Sequence, residues 1–187
     1  MRFNYPLIRQ FNQGFTLIET IVGIVVLAIS FSVLTSLIYP VSQQSAEQLH
    51  QVKAAELAQS MLNEIQNKAF DEKSDMAGGR VRCGENGAAS CSTNMGLEGA
   101  ETRATFNDVD DYNNLKYGLI YNKGDIKDSQ GQLLELYLGY AMSISVCNDS
   151  SYDGSCIGDI QTAKLITVTI TTPTDFDLNF STYRVNF

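Results

Sequence analysis

Ile21 to Tyr39 reads IVGIVVLAISFSVLTSLIY and carries no charge. At about 1.5 Å of rise per residue, a helix of that length crosses most of a bilayer's hydrocarbon core. This run constrains the chain more than any other feature. Once an N-terminal membrane and targeting stretch is set aside, about one domain's worth of sequence remains. Arg2 and Arg9 precede the run, and no acid appears before Glu19. The positive-inside rule then leaves the N-terminus in the cytoplasm and exports everything after Pro40. A secretory signal has a shorter apolar region and ends at a small-residue cleavage site. Here PVSQQSAEQ follows, which is a poor site.

The helical pattern continues past the apolar run. Ala58, Met61, Leu62, Ile65 and Ala69 fall at i, i+3, i+4, i+7 and i+11, one face of a helix, while Glu47, Lys53, Glu56 and Lys68 take other positions. The spacing predicts one long helix with a membrane half over 15–39 and an amphipathic stem over 40–70. Pro40 is the expected kink, because it lacks a backbone donor and crowds the preceding turn.

Glu19 sits just inside the apolar region. A carboxylate at the bilayer centre costs roughly 2.5–3.5 kcal/mol, and less toward one end, but it still calls for a partner. No Lys or Arg lies within two turns on its C-terminal side. Cleavage after Gly14 would supply one. Phe15 would then carry a free α-amine, charged near neutral pH, about 6 Å along the helix from Glu19. The same amine on a neighbouring molecule serves equally well. In a staggered parallel bundle, each Glu19 would neutralise the next subunit's N-terminus and set the register.

Gly14-Phe15-Thr16-Leu17-Ile18-Glu19, followed by an apolar helix, resembles the leader-peptide signature of type IV prepilins and pseudopilins. The resemblance implies that residues 1–14 are a leader removed by prepilin peptidase, with cleavage between Gly14 and Phe15 and N-methylation of Phe15. It implies a role for Glu19 in subunit assembly. Implied too is the type IV pilin fold, α+β, in which the second half of a long N-terminal helix packs on a C-terminal antiparallel sheet. The expected partners are other pilin subunits, prepilin peptidase, the inner-membrane assembly platform and the membrane itself. The expected location is the inner membrane as a single-pass protein before assembly, then a pilus at the cell surface. Many members carry a helix proline where this chain has Ser36; here it stands at Pro40. Loss of the leader would also remove Arg2 and Arg9, leaving the mature chain more acidic.

The exported head is expected over 71–187. After Phe70 a long stretch rich in Gly, Ser and charge reads as a surface connection. Strand signals follow at Leu115–Asn122, Leu133–Cys147, Lys164–Thr172 and Phe180–Phe187, suggesting a meander of three or four antiparallel strands. One face would take the helix through Leu62 and Ile65. Four cysteines form two close pairs, Cys83/Cys91 and Cys147/Cys156. Export favours two local disulfides, although four cysteines allow three pairings. Zinc usually takes tighter C-x(2–4)-C spacings.

Composition and motifs exclude other classes. The net charge is −8, with no Lys/Arg cluster, so no nucleic-acid partner is expected. No P-loop, GxSxG, HExxH or dinucleotide fingerprint is present, and no enzyme is expected. His50 is the sole histidine and reads as an exposed helix residue. No cofactor is expected, with one weak exception. FNDVDDYNN places Asp108, Asp110 and Asp111 together. Clustered oxygens suit calcium, but the spacing is not an EF-hand, and a solvated acidic turn is the commoner explanation. Asp125 and Asp128 are also available, with nothing tying them to that turn.

Within the family, AAELAQSMLNEI, FDE, the Gly-rich CG…C loop and FNDVDDYN look like minor pilins of mannose-sensitive haemagglutinin (MSHA) pili. A minor pseudopilin of a type II secretion system is the alternative. A membrane-anchored extracytoplasmic enzyme or binding module is the rival from a different class.

Overall fold

The structure is a computed structural model. It describes residues 14–75 and 81–187, and of residues 39–43 the backbone alone. Arg2, Arg9 and the rest of the expected leader before Gly14 lie outside the described residues, as does part of the expected connection at 76–80. The chain divides into two compact units, residues 1–46 and 47–187.

One helix, α1, spans Leu17–Gln66. The helix continues through Pro40 without a break. In the first unit its apolar side chains are exposed, from Leu17 through Ile24, Phe31 and Ile38. The hydroxyls among them turn inward to the helix. Ser30 Oγ donates to the Val26 carbonyl at 2.8 Å, Thr35 Oγ1 to Phe31 at 3.0 Å and Ser36 Oγ to Val33 at 2.8 Å. Polar groups satisfied within their own helix suit an apolar surrounding.

In the second unit α1 buries Ala54, Leu57, Ala58, Met61, Leu62 and Ile65, the face that the spacing marks as apolar. The sheet beneath has four strands, β1 (Lys116–Tyr117), β2 (Ala141–Asn148), β3 (Ala163–Thr171) and β4 (Asp177–Val185). They are ordered β1-β2-β3-β4, and every neighbouring pair is antiparallel. Period-two alternation sends Met142, Ile144 and Val146 of β2 and Ile166, Val168 and Ile170 of β3 into one buried cluster with the helix face. The other face is polar, with Thr167 paired to Ser181 and Thr169 to Asn179 across β3 and β4. The layout is α+β, a long N-terminal helix followed by an antiparallel meander.

Strand bounds differ from the sequence reading. The run Leu115–Asn122 yields only a two-residue strand, because Gly118 takes φ +106° and a 3-10 turn follows at Leu119–Tyr121. Leu133–Tyr140 is not strand. It holds a 3-10 turn at Glu135–Tyr137 and Gly139 at φ +79°, and Leu133, Leu136 and Leu138 stay exposed. The last strand starts earlier, at Asp177.

Two disulfides hold the loops, Cys83–Cys91 and Cys147–Cys156. Cys83 and Cys91 form a small core of their own with Phe70. Asn186, just past β4, donates to the Cys83 carbonyl at 3.1 Å. The C-terminal strand end is thereby tied to the first disulfide loop.

Candidate functional site

Two regions carry chemistry: the start of α1 and an acidic nest in the second unit. At the start of α1, Thr16 Oγ1 accepts the backbone N–H of Glu19 at 3.3 Å. Thr16 therefore acts as the N-cap, and Glu19 is the acid of the first turn. A carboxylate there is favoured by the positive end of the helix dipole. That capping signal is written in the Thr-x-x-Glu spacing, independently of any cleavage site. Gly14 and Phe15 precede the helix, and the Phe15 side chain is exposed. Leu17–Ile38, 22 residues, is long and apolar enough to cross a membrane.

The acidic nest lies where the chain after α1 meets the sheet. Asp108, Asp110 and Asp111 sit in and beside a 3-10 turn at Asp110–Tyr112. They are 0%, 0% and 1% exposed, so the solvated acidic turn expected from composition is not what forms. The reason is that each carboxylate has a structural use. Asp108 Oδ1 accepts the N–H groups of Asp110 and Asp111 at 3.1 and 3.2 Å. Asp111 Oδ2 accepts those of Asn107 and Asp108 at 2.8 and 3.2 Å. Lys164, on the core face of β3, donates to Asp110 Oδ1 and to the Phe70 carbonyl, both at 2.7 Å, and lies 3.7 Å from Asp71.

The nest contains two separate groups. Asp71, Asp108 and Asp110 converge around the Lys164 side of the turn, while Glu98, Glu101 and Asp111 form the other group. The structure thus divides Asp108 and Asp110 from Asp111. Burial, reinforced by a hydrogen bond and the charge of Asp110, pushes the Asp108 carboxyl up to about 8, against the opposing pull of Lys164. Burial, then the charges of Asp110, Asp111, Glu72 and Glu101, pushes Glu98 up to about 7. Local composition gives no sign of Lys164, because it reaches the nest from a segment 54 residues away.

His50 is not a free surface histidine. Its Nδ1 lies 2.7 Å from the Tyr140 hydroxyl, and the side chain is half-buried. A further tie joins helix to loop: Arg103 grips Glu64 with Nη2–Oε2 at 2.8 Å, and the Tyr112 hydroxyl donates to Glu64 at 2.9 Å. Asp128 accepts N–H groups from Gln130 and Gln132 in a local turn. Neither Asp125 nor Asp128 belongs to either acidic group.

The prokaryotic N-terminal methylation motif matches residues 9–35, covering the Gly14–Phe15 junction, Glu19 and most of the apolar run. No curated protein and no solved structure matches the chain. The motif is of the prepilin type, and the layout of helix and meander is consistent with the type IV pilin fold. That class comprises type IV pilins and pseudopilins, and the motif supports the pilin family for this chain. A prepilin-type motif implies processing by prepilin peptidase and assembly with other pilins.

Proposed function

We propose that this chain is a filament subunit made as a prepilin. It is cleaved between Gly14 and Phe15, methylated on the new amine, and held in the inner membrane by the apolar part of α1 with its N-terminus cytoplasmic. It then passes through the assembly platform into a pilus at the cell surface. The observation that carries this reading is the methylation motif over residues 9–35, laid on a helix whose Leu17–Ile38 side chains are exposed.

The chemistry follows from Glu19. Its carboxylate is paired by the cation that cleavage creates, its own Phe15 amine or that of the next subunit. In a greasy helix bundle that pair selects the axial register, because any other register leaves a charge without a partner in hydrocarbon. The second unit is the head. Its role is structural, with the sheet packed on the helix face and the loops clasped by two disulfides.

We assign the filament to the MSHA type and the chain to the place of its minor pilin D, a low-abundance subunit near the tip or active in initiation. The stretches AAELAQSMLNEI, FDE and FNDVDDYN support this assignment by their resemblance to that protein. A deletion strain tests it. Loss of surface attachment with protein secretion intact is expected. Hydrolases trapped in the periplasm would instead assign the subunit to a type II secretion pseudopilus.

A further inference from the structure

We propose that Lys164 and Asp110 join through an isopeptide bond that the second unit forms by itself, with Asp108 moving the protons. Lys164 Nζ lies 2.7 Å from Asp110 Oδ1, and the two side chains are 2% and 1% exposed. A nitrogen at hydrogen-bond distance from a carboxylate oxygen stands about 3–3.5 Å from the carboxyl carbon, the separation at which fixed partners react far faster than free ones. The Phe70 ring covers the ammonium, its centre 4.7 Å away. Bond formation would replace two buried charges by one neutral amide, which removes their desolvation cost.

A third group completes the chemistry. Asp108 is fully buried, and its Oδ1 is held by the N–H groups of Asp110 and Asp111 at 3.1 and 3.2 Å. Asp108 Oδ2 and Asp110 Oδ2 are left as buried oxygens without a donor. One proton held between the two carboxyl groups satisfies both. Burial, then a hydrogen bond to Asp110 and its charge, pushes the Asp108 carboxyl up to about 8, so it carries that proton at neutral pH. Asp71 is the rival acceptor for the amine. It stands farther off, at 3.7 Å, and its oxygens are engaged by the Lys73 and Ser92 N–H groups.

The step balances without a co-reactant. A proton passes along the hydrogen bond from the Lys164 ammonium to Asp110, leaving a neutral amine beside a neutral carboxyl group. The two N–H bonds that remain on Nζ serve the Phe70 carbonyl, 2.7 Å away, and Asp71, so the lone pair faces Asp110. Nζ attacks Asp110 Cγ and the N–C bond forms. Asp108 gives its proton to the departing Asp110 hydroxyl, the C–O bond breaks, and water leaves. The nitrogen returns a proton to Asp108, which ends as it began. Nothing is oxidised or reduced. The product ties β3 to the 3-10 turn across 54 residues, enclosing β2 and the Cys147–Cys156 loop. Unlike the disulfides, this clasp survives reductants.

The test reads the intact mass of the full chain, purified in detergent micelles and then reduced and denatured. Expression without prepilin peptidase keeps residues 1–14 attached, so the result does not depend on processing at Gly14. The expected mass is that of the sequence less one water. Trypsin should fail to cut after Lys164 and should release residues 104–116 joined to residues 128–184. Asp108→Asn keeps a side-chain oxygen for the two backbone N–H groups but carries no acidic proton. That variant should retain the full sequence mass and be cut after Lys164. A wild-type chain at full sequence mass, a junction at Asp71 in place of Asp110, or an Asp108→Asn chain that loses water as fully as wild type would overturn the proposal.

Discussion

Lys164 donates to the Asp110 carboxylate at 2.7 Å, joining β3 to the 3-10 turn across 54 residues of chain. Both side chains are buried. The Phe70 carbonyl takes a second Lys164 proton, and the ammonium lies 4.7 Å from the centre of the Phe70 ring. Three segments, the chain just after α1, the turn and the sheet, therefore share one cation. Removing one partner of a buried pair leaves the other charge uncompensated. Lys164→Met should cost about 3–5 kcal/mol, read by denaturant melts. Adding Asp110→Asn should recover part of that loss. Equal costs for the single and double variants would show that the pairing contributes nothing.

Gly118 is needed for its backbone. It takes φ +106°, and a Cβ there would stand 2.4 Å from the Ala141 Cβ and 2.7 Å from its Cα. Neither neighbour is a flexible side-chain end. Gly118→Ala should destabilise by roughly 1–3 kcal/mol and disturb the β1–β2 pairing, measurable as loss of amide protection at Met142 and Ser143. Unchanged stability would mean that the hairpin shifts freely.

Asp149 gives the head an acid limit. Burial alone would raise its carboxyl, but the Tyr183 hydroxyl at 2.8 Å and the Gly154 N–H at 2.7 Å outweigh burial and hold it below the usual range. The folded value then lies below the unfolded one, near ~3.9. Its stabilisation is present above that value and is lost as pH falls through the folded pKa. Thermal melts of wild type and Asp149→Asn should differ at neutral pH and converge as the pH falls below the ordinary carboxylate range. A difference that grows on acidification would contradict this.

The parts legible in the sequence are those encoded by short-range periodicity. The helix face through Ala58, Leu62 and Ile65 and the alternation in KLITVTITT both follow from burial on one side of a regular element. Leu133–Tyr140 misleads because apolar residues there do not mark a buried strand. Glycine at φ +79° and a 3-10 turn interrupt the segment, and its leucines remain exposed. The acidic nest misleads for another reason. Three aspartates in four residues read as solvated until Lys164 and the backbone N–H groups that hold them are known, and Lys164 comes from β3, far along the chain. His50 likewise finds Tyr140 ninety residues away. The methylation motif is contiguous and needs no tertiary knowledge.

Glu19→Val separates insertion from assembly. Removing a carboxylate from an apolar helix should leave membrane insertion intact or improve it. The variant should accumulate in the membrane and appear in sheared filaments at a severalfold lower level than wild type, compared by immunoblot. Equal recovery in filaments would show that the Glu19 charge is dispensable for register.

The most direct measurement is N-terminal mass spectrometry of the protein recovered from assembled filaments. The expected first residue is N-methylated Phe15, with residues 1–14 absent. A chain that still begins at Met1 in those filaments would contradict the pairing of Glu19 with a cleavage-generated amine, and with it the proposed route of assembly.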